Sequence, residues 1–138
     1  MQWIHWALLS AIFAAATAIL SKIGVAKVDS NTATAIRTAV VLAVSTAIVI
    51  ATQGVAAFRS IPQSAWLPLT ASGVATGLSW LCYFRALKLG PASKVAPVDK
   101  LSVVFVVIFA AVFLQEAVTA RTMLGIGLIT AGVILLAK

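Results

Sequence analysis

Apolar residues along this chain fall into long runs separated by short polar breaks, and the lengths of those runs set the first expectation. A helix rises about 1.5 Å per residue, so roughly 20 apolar residues are needed to cross a hydrocarbon core about 30 Å thick. Five segments meet that length: Trp3 to about Ser21, about Thr32 to Thr52, Ala65 to Leu87, Val95 to Gln115, and about Arg121 to Ala137. The pattern predicts an all-α integral membrane fold of five transmembrane helices. The breaks carry turn chemistry. Asp29-Ser30-Asn31 supplies helix caps, Ser60-Ile61-Pro62-Gln63-Ser64 starts a helix, and Gly90-Pro91 stops one. Connections this short make successive helices antiparallel neighbours. Trp3, Trp6 and Trp66 fall near predicted ends, where amphipathic rings settle at headgroup level.

Composition agrees with the pattern. Apolar residues make up 62% of the 138 and charged residues 9%, against roughly 45–50% and 25% in a soluble domain. The length fits a single membrane domain over residues 1–138. The net charge of +7 does not point to nucleic acid, because the basic residues sit between apolar runs rather than on one exposed face. The side holding the first and third connections and the C-terminus carries Lys22, Lys27, Arg85, Lys88, Lys94 and Lys138, whereas the other carries Arg59 and Arg121. That bias predicts the N-terminus outside and the C-terminus in the cytoplasm, in a multi-pass protein of the cytoplasmic membrane. Lys22 follows the first apolar run instead of preceding it, so that run is expected to be a retained helix and not a signal peptide.

Polar residues inside the spans mark candidate function. At helical spacing Ser10, Thr17 and Ser21 share one face of the first span, Thr38, Ser45 and Thr52 one face of the second, and Ser72, Thr76, Ser79 and Tyr83 one face of the third. Three such stripes fit a partly polar path; singly, each hydroxyl is as well explained by a bond to its own helix. Arg37 lies about two turns into the second span, with Asp99 and Lys100 at similar depth in the fourth. Each charge costs at least about 2.5 to 3.5 kcal/mol at a helix centre. The three residues form either an ion-paired lock between helices or a cytoplasmic gate and substrate site, and Pro97 marks either a kink or a first helical turn. Trp80, Tyr83 and Phe84 are an aromatic cluster that packs or lines a pocket.

The fifth span carries Gly125, Gly127, Ala131 and Gly132, whose small side chains permit close helix approach and mark a packing or dimerisation helix, the expected dimer interface. Cys82 is the only cysteine and His5 the only histidine, so neither a disulfide nor a metal site is expected. With no nucleophile–base pair, carboxylate pair or Gly-rich phosphate loop, an enzyme is not expected, nor any cofactor.

Certain longer stretches resemble a known family. These are Tyr83-Phe84-Arg85-Ala86-Leu87-Lys88-Leu89-Gly90-Pro91-Ala92-Ser93, then Ala96-Pro97-Val98, Glu116 after a long apolar run, and Leu124-Gly125 through Ala131-Gly132-Val133. Together they are similar to the EamA-type repeat of the drug/metabolite transporter superfamily, and Arg37 early in the second span also fits it. The resemblance covers essentially the whole chain. Most members carry two repeats and ten helices; this chain carries one and resembles the five-helix bacterial and archaeal branch, as does Lys94-Val95-Ala96-Pro97-Val98-Asp99-Lys100-Leu101-Ser102. Gln115 departs from the pattern, which usually has glycine before the glutamate at Glu116. The resemblance implies export or exchange of a small metabolite or drug-like molecule across the bilayer.

The resulting expectation is a secondary transporter driven by a gradient and working by alternating access. Half the usual helix count implies a homodimer or a pairing with a paralogous half-transporter. Its path is expected to involve Thr17, Arg37, Ser79, Trp80, Tyr83, Asp99 and Lys100. The competing expectation is a membrane interaction or regulatory subunit that moves nothing itself.

Overall fold

The computed structural model describes residues 3–138, and every regular element among them is helical. The elements are α1 (Trp3–Val25), α2 (Ser30–Gln53), a 3₁₀ turn (Val55–Phe58), α3 (Gln63–Leu89), α4 (Ala92–Asp99), α5 (Ser102–Phe113) and α6 (Ala120–Ala137).

Local chemistry explains the boundaries. The Asp29 carboxylate accepts the Asn31 and Thr32 amides at 2.8 and 3.3 Å, capping the start of α2. At the other end Gly54, at φ 76°, returns its N–H to the Ile50 carbonyl, a left-handed conformation that costs glycine little. Helix α3 stops before Gly90-Pro91, and the Pro91 carbonyl then receives the Lys94 and Val95 amides to open α4. Thr119 caps α6 through the Thr122 amide.

The fourth span departs from the expected single helix. It is interrupted between α4 and α5, where Lys100, Leu101, Val103 and Val104 donate to carbonyls three residues back instead of four. Pro97 has no N–H, so the Ser93 carbonyl lacks its i+4 donor just upstream, and the tighter 3₁₀ step follows within a turn.

The described residues fall into two compact units. One comprises Ile19–Lys88. Its buried residues are Val25, Ser30, Thr34, Phe84 and Leu87, and two lysines tie its turns to carbonyls: Lys22 Nζ donates to Leu87 O at 2.5 Å and Lys88 Nζ to Val28 O at 2.8 Å. Leu87 lies in the last turn of α3, where carbonyls lack intrahelical partners and a cation meets the negative end of the helix dipole. The other unit comprises the chain up to Ala18 and Leu89–Lys138. In it α6 packs on α4 and α5 with Val133 buried, and Lys94 Nζ donates to Lys138 O at 2.7 Å.

Only five apolar side chains are buried among the described residues, while Trp3, Leu67 and Leu89 are about four-fifths exposed at 79%, 80% and 82%. Such a chain needs lipid as its solvent. Among the described residues four stretches are long and apolar enough to cross a membrane: Trp3–Val25, Ser30–Gln53, Ala92–Phe113 and Ala120–Ala137. The expected third span is not among them. At 27 residues α3 is the longest helix, but Ser64, Thr70, Ser72, Thr76, Ser79, Arg85 and Lys88 dilute its apolar character.

Candidate functional site

Two helical stripes meet in the unit Ile19–Lys88. Ser30, Thr34 and Arg37 recur at i, i+4 and i+7 on α2, and Trp80, Phe84 and Leu87 do so on α3. Thr34, Phe84 and Leu87 are buried, which fixes the rotation of both helices. The Arg37 guanidinium carbon then lies 3.9 Å from the Trp80 ring centroid and 5.6 Å from that of Phe84. Phe84 in turn meets Tyr83 edge-on, with centroids 6.5 Å apart. The negative ring faces stabilise the cation, by about 2 kcal/mol or more where water is excluded.

Several hydroxyls of α2 and α3 already donate to their own helix. Thr34 bonds Ser30 O at 2.9 Å, Thr38 bonds Thr34 O at 2.8 Å, and Ser45, Thr52 and Thr76 likewise bond carbonyls four residues back. Each keeps acceptor capacity but has no free donor.

An open groove of about 520 Å³ runs beside the pair, lined by Asn31, Thr34, Ala35 and Thr38 of α2 and Val74, Gly77, Leu78 and Leu81 of α3. Thr38 therefore lines it. The Ser72, Thr76, Ser79 and Tyr83 stripe does not. At about 100° per residue those positions lie on the side of α3 opposite the groove. Tyr83 is half-buried and Ser79 exposed.

Arg37 and Asp99 belong to different units, and each has a local partner. Arg37 has its aromatic pair, and Asp99 has the adjacent Lys100, whose Nζ is 3.4 Å from Oδ2. Both members of that ion pair keep much of their surface exposed, so it contributes little to stability. It sits at the break between α4 and α5. Thr17 is half-buried in the unit that contains α4 to α6.

The small-residue stripe of α6 is divided. Gly125 and Gly132 lie with Thr122, Ile126 and Val133 on the half-buried side, whereas Gly127 and Ala131 are exposed. No group of histidine, cysteine, aspartate and glutamate among the described residues could hold a metal ion.

Sequence reasoning named Arg37, Trp80 and Phe84 separately but did not join the arginine to the rings. Depth was the available signal: Arg37 is seven residues from the start of α2 and Trp80 nine from the end of α3, which antiparallel neighbours bring level.

A family model described as the EamA-like transporter family matches residues 1–138. A protein of Sinorhizobium sp named "Uncharacterized transporter in cobO 3'region" is 55% identical over 136 residues, covering 99% of this chain and 96% of that protein. No solved structure matches the chain.

Proposed function

The chain belongs to the EamA-like transporter family, and from that premise we propose that it is a secondary transporter moving a small metabolite or drug-like molecule across the cytoplasmic membrane. Membership makes it a multi-pass membrane transporter rather than an enzyme. In the proposed architecture α3 also crosses, since 27 residues span roughly 40 Å, and its serines and threonines face protein or path rather than lipid. Five crossings put the termini on opposite sides, with the lysine-rich side and the C-terminus in the cytoplasm. Two copies, or this chain and a paralogous half, pair to enclose the path and alternate its access.

The observation that carries the reading is the Arg37–Trp80 stack. A permanent cation about 10 Å along a membrane helix is costly, and here it sits over an aromatic ring at 3.9 Å. Intramembrane charge held this way is a substrate or gating group by default. The interruption between α4 and α5 supports the same reading, because broken helices form the binding and moving parts of transporters.

Flux through the purified protein in proteoliposomes tests it. The wild type is expected to exchange at least one member of a panel of metabolites, and Arg37→Gln to lower that flux at equal protein incorporation. Absence of flux across the panel would favour the interaction-subunit reading.

A further inference from the structure

Resting on the reading of Arg37 as a path residue, we propose that the substrate group it takes is an anion, a carboxylate or phosphate on a small solute, seated on the open edge of the guanidinium. The first argument is the placement of acids. Helices α1, α2, α3, α5 and α6 contain no aspartate or glutamate, and the chain has three acidic residues in all: Asp29, Asp99 and Glu116. Asp29 precedes α2 and spends its carboxylate on the helix cap; it is eight residues before Arg37, about 12 Å of helical rise. Asp99 is paired with Lys100, and Glu116 follows the end of α5. Within Ile19–Lys88, six basic side chains stand against Asp29 alone. A cationic solute would find no counter-charge on five of the six helices. An anionic one meets a guanidinium that stays charged at any working pH.

The second argument is geometric. The guanidinium carbon sits over the Trp80 ring at 3.9 Å with the Phe84 ring 5.6 Å away, and because a guanidinium carries five N–H donors, aromatic contact on that side leaves donors for a ligand. Those groups match the two oxygens of a carboxylate or phosphate. Thr34 and Thr38 donate to their own helix, so those two hydroxyls offer the anion no donor, and the guanidinium supplies the matching charge. The rings beside it suit a solute with an apolar body next to its charge.

The test uses the full chain in nanodiscs of phosphatidylcholine alone, probed with benzoate, inorganic phosphate and benzyltrimethylammonium, and read by tryptophan emission and thermal unfolding. Benzoate or phosphate is expected to bind in preference to benzyltrimethylammonium. Arg37→Gln should weaken that binding about tenfold or more. Arg37→Lys, which keeps the charge without the planar fork, should fall between, and Trp80→Phe should remove most of the emission change while the thermal shift persists. Preference for benzyltrimethylammonium, or anion binding unchanged in Arg37→Gln and Arg37→Lys, overturns the proposal. Competition by added phosphatidylglycerol would assign the edge to a lipid headgroup and overturn the solute assignment. Arg37-dependent flux of cationic solutes would overturn the anion while keeping the transporter, whereas Arg37-dependent anion binding without any flux supports the anion site and overturns the transporter.

Discussion

At the scale of single residues, two contributions can be separated from the rest. Arg37 and Trp80 form a cation–π pair at 3.9 Å, and a double-mutant cycle over Arg37→Gln and Trp80→Leu isolates it. The expected coupling is about 0.5 to 2 kcal/mol, set by how far the pair is desolvated. Strictly additive losses in unfolding experiments would show that the contact contributes nothing. Asp29 makes a pH-dependent contribution. Its pKa is lowered from the ordinary 3.8, first by the Thr32 amide and then by the Asn31 amide. A depressed carboxylate stabilises the fold fully above its unfolded value and loses that effect as pH falls through the folded value. The stability difference between wild type and Asp29→Ala should therefore be constant at neutral pH and shrink only below about pH 4. A difference that shrank between pH 8 and 6 would contradict the cap.

Elements are governed by how they stop. Helix α5 ends with both Leu114 N and Glu116 N donating to Ala110 O, which holds Gln115 at φ 54°, the one positive φ outside glycine among the described residues. A left-handed L-residue costs roughly 1–2 kcal/mol, and the glycine usual at this point in the family would avoid it. Gln115→Gly is expected to raise stability by about 0.5–1 kcal/mol, after allowance for glycine's greater unfolded freedom. An unchanged or lower melting temperature in detergent would mean that Gln115 is held by contacts worth more than the strain. Pro97 acts differently on the same span. It removes a donor inside α4, and the chain answers with 3₁₀ bonds at Lys100 and Leu101, so the span that hydropathy reads as continuous is two helices.

For the whole molecule, the proposals concern copies and sides. The division of α6 makes Gly127 and Ala131 its exposed small positions, so the proposed pairing of two copies is tested best at Gly127. Gly127→Leu should shift a detergent-solubilised dimer toward monomer in light scattering, with helicity unchanged. An unaltered dimer would move the interface elsewhere, and a monomeric wild type would remove the half-transporter argument. Orientation follows from the basic residues: a phosphatase fused after Lys138 should be inactive and a fluorescent protein there bright. Equal activity of both reporters would indicate insertion in two directions.

Hydropathy and length are properties of one dimension, and at that level the sequence was sufficient. It determined an all-helical membrane chain, the turns at Asp29 and Gly90-Pro91, and a family through motifs that survive without knowledge of contacts. Helix rotation is not one-dimensional. A stripe of serines and threonines looks the same whichever neighbour it faces, so only the tertiary structure decided that Thr38 lines the groove while Ser72, Thr76, Ser79 and Tyr83 lie on the other side of α3. Packing of Thr34, Phe84 and Leu87 made that choice, and the same rotation set Arg37 on Trp80. The lysines divide in the same way. Their placement in and beside the breaks between apolar runs was legible, but the capping of Leu87 and Val28 carbonyls by Lys22 and Lys88 required the turns to meet in space.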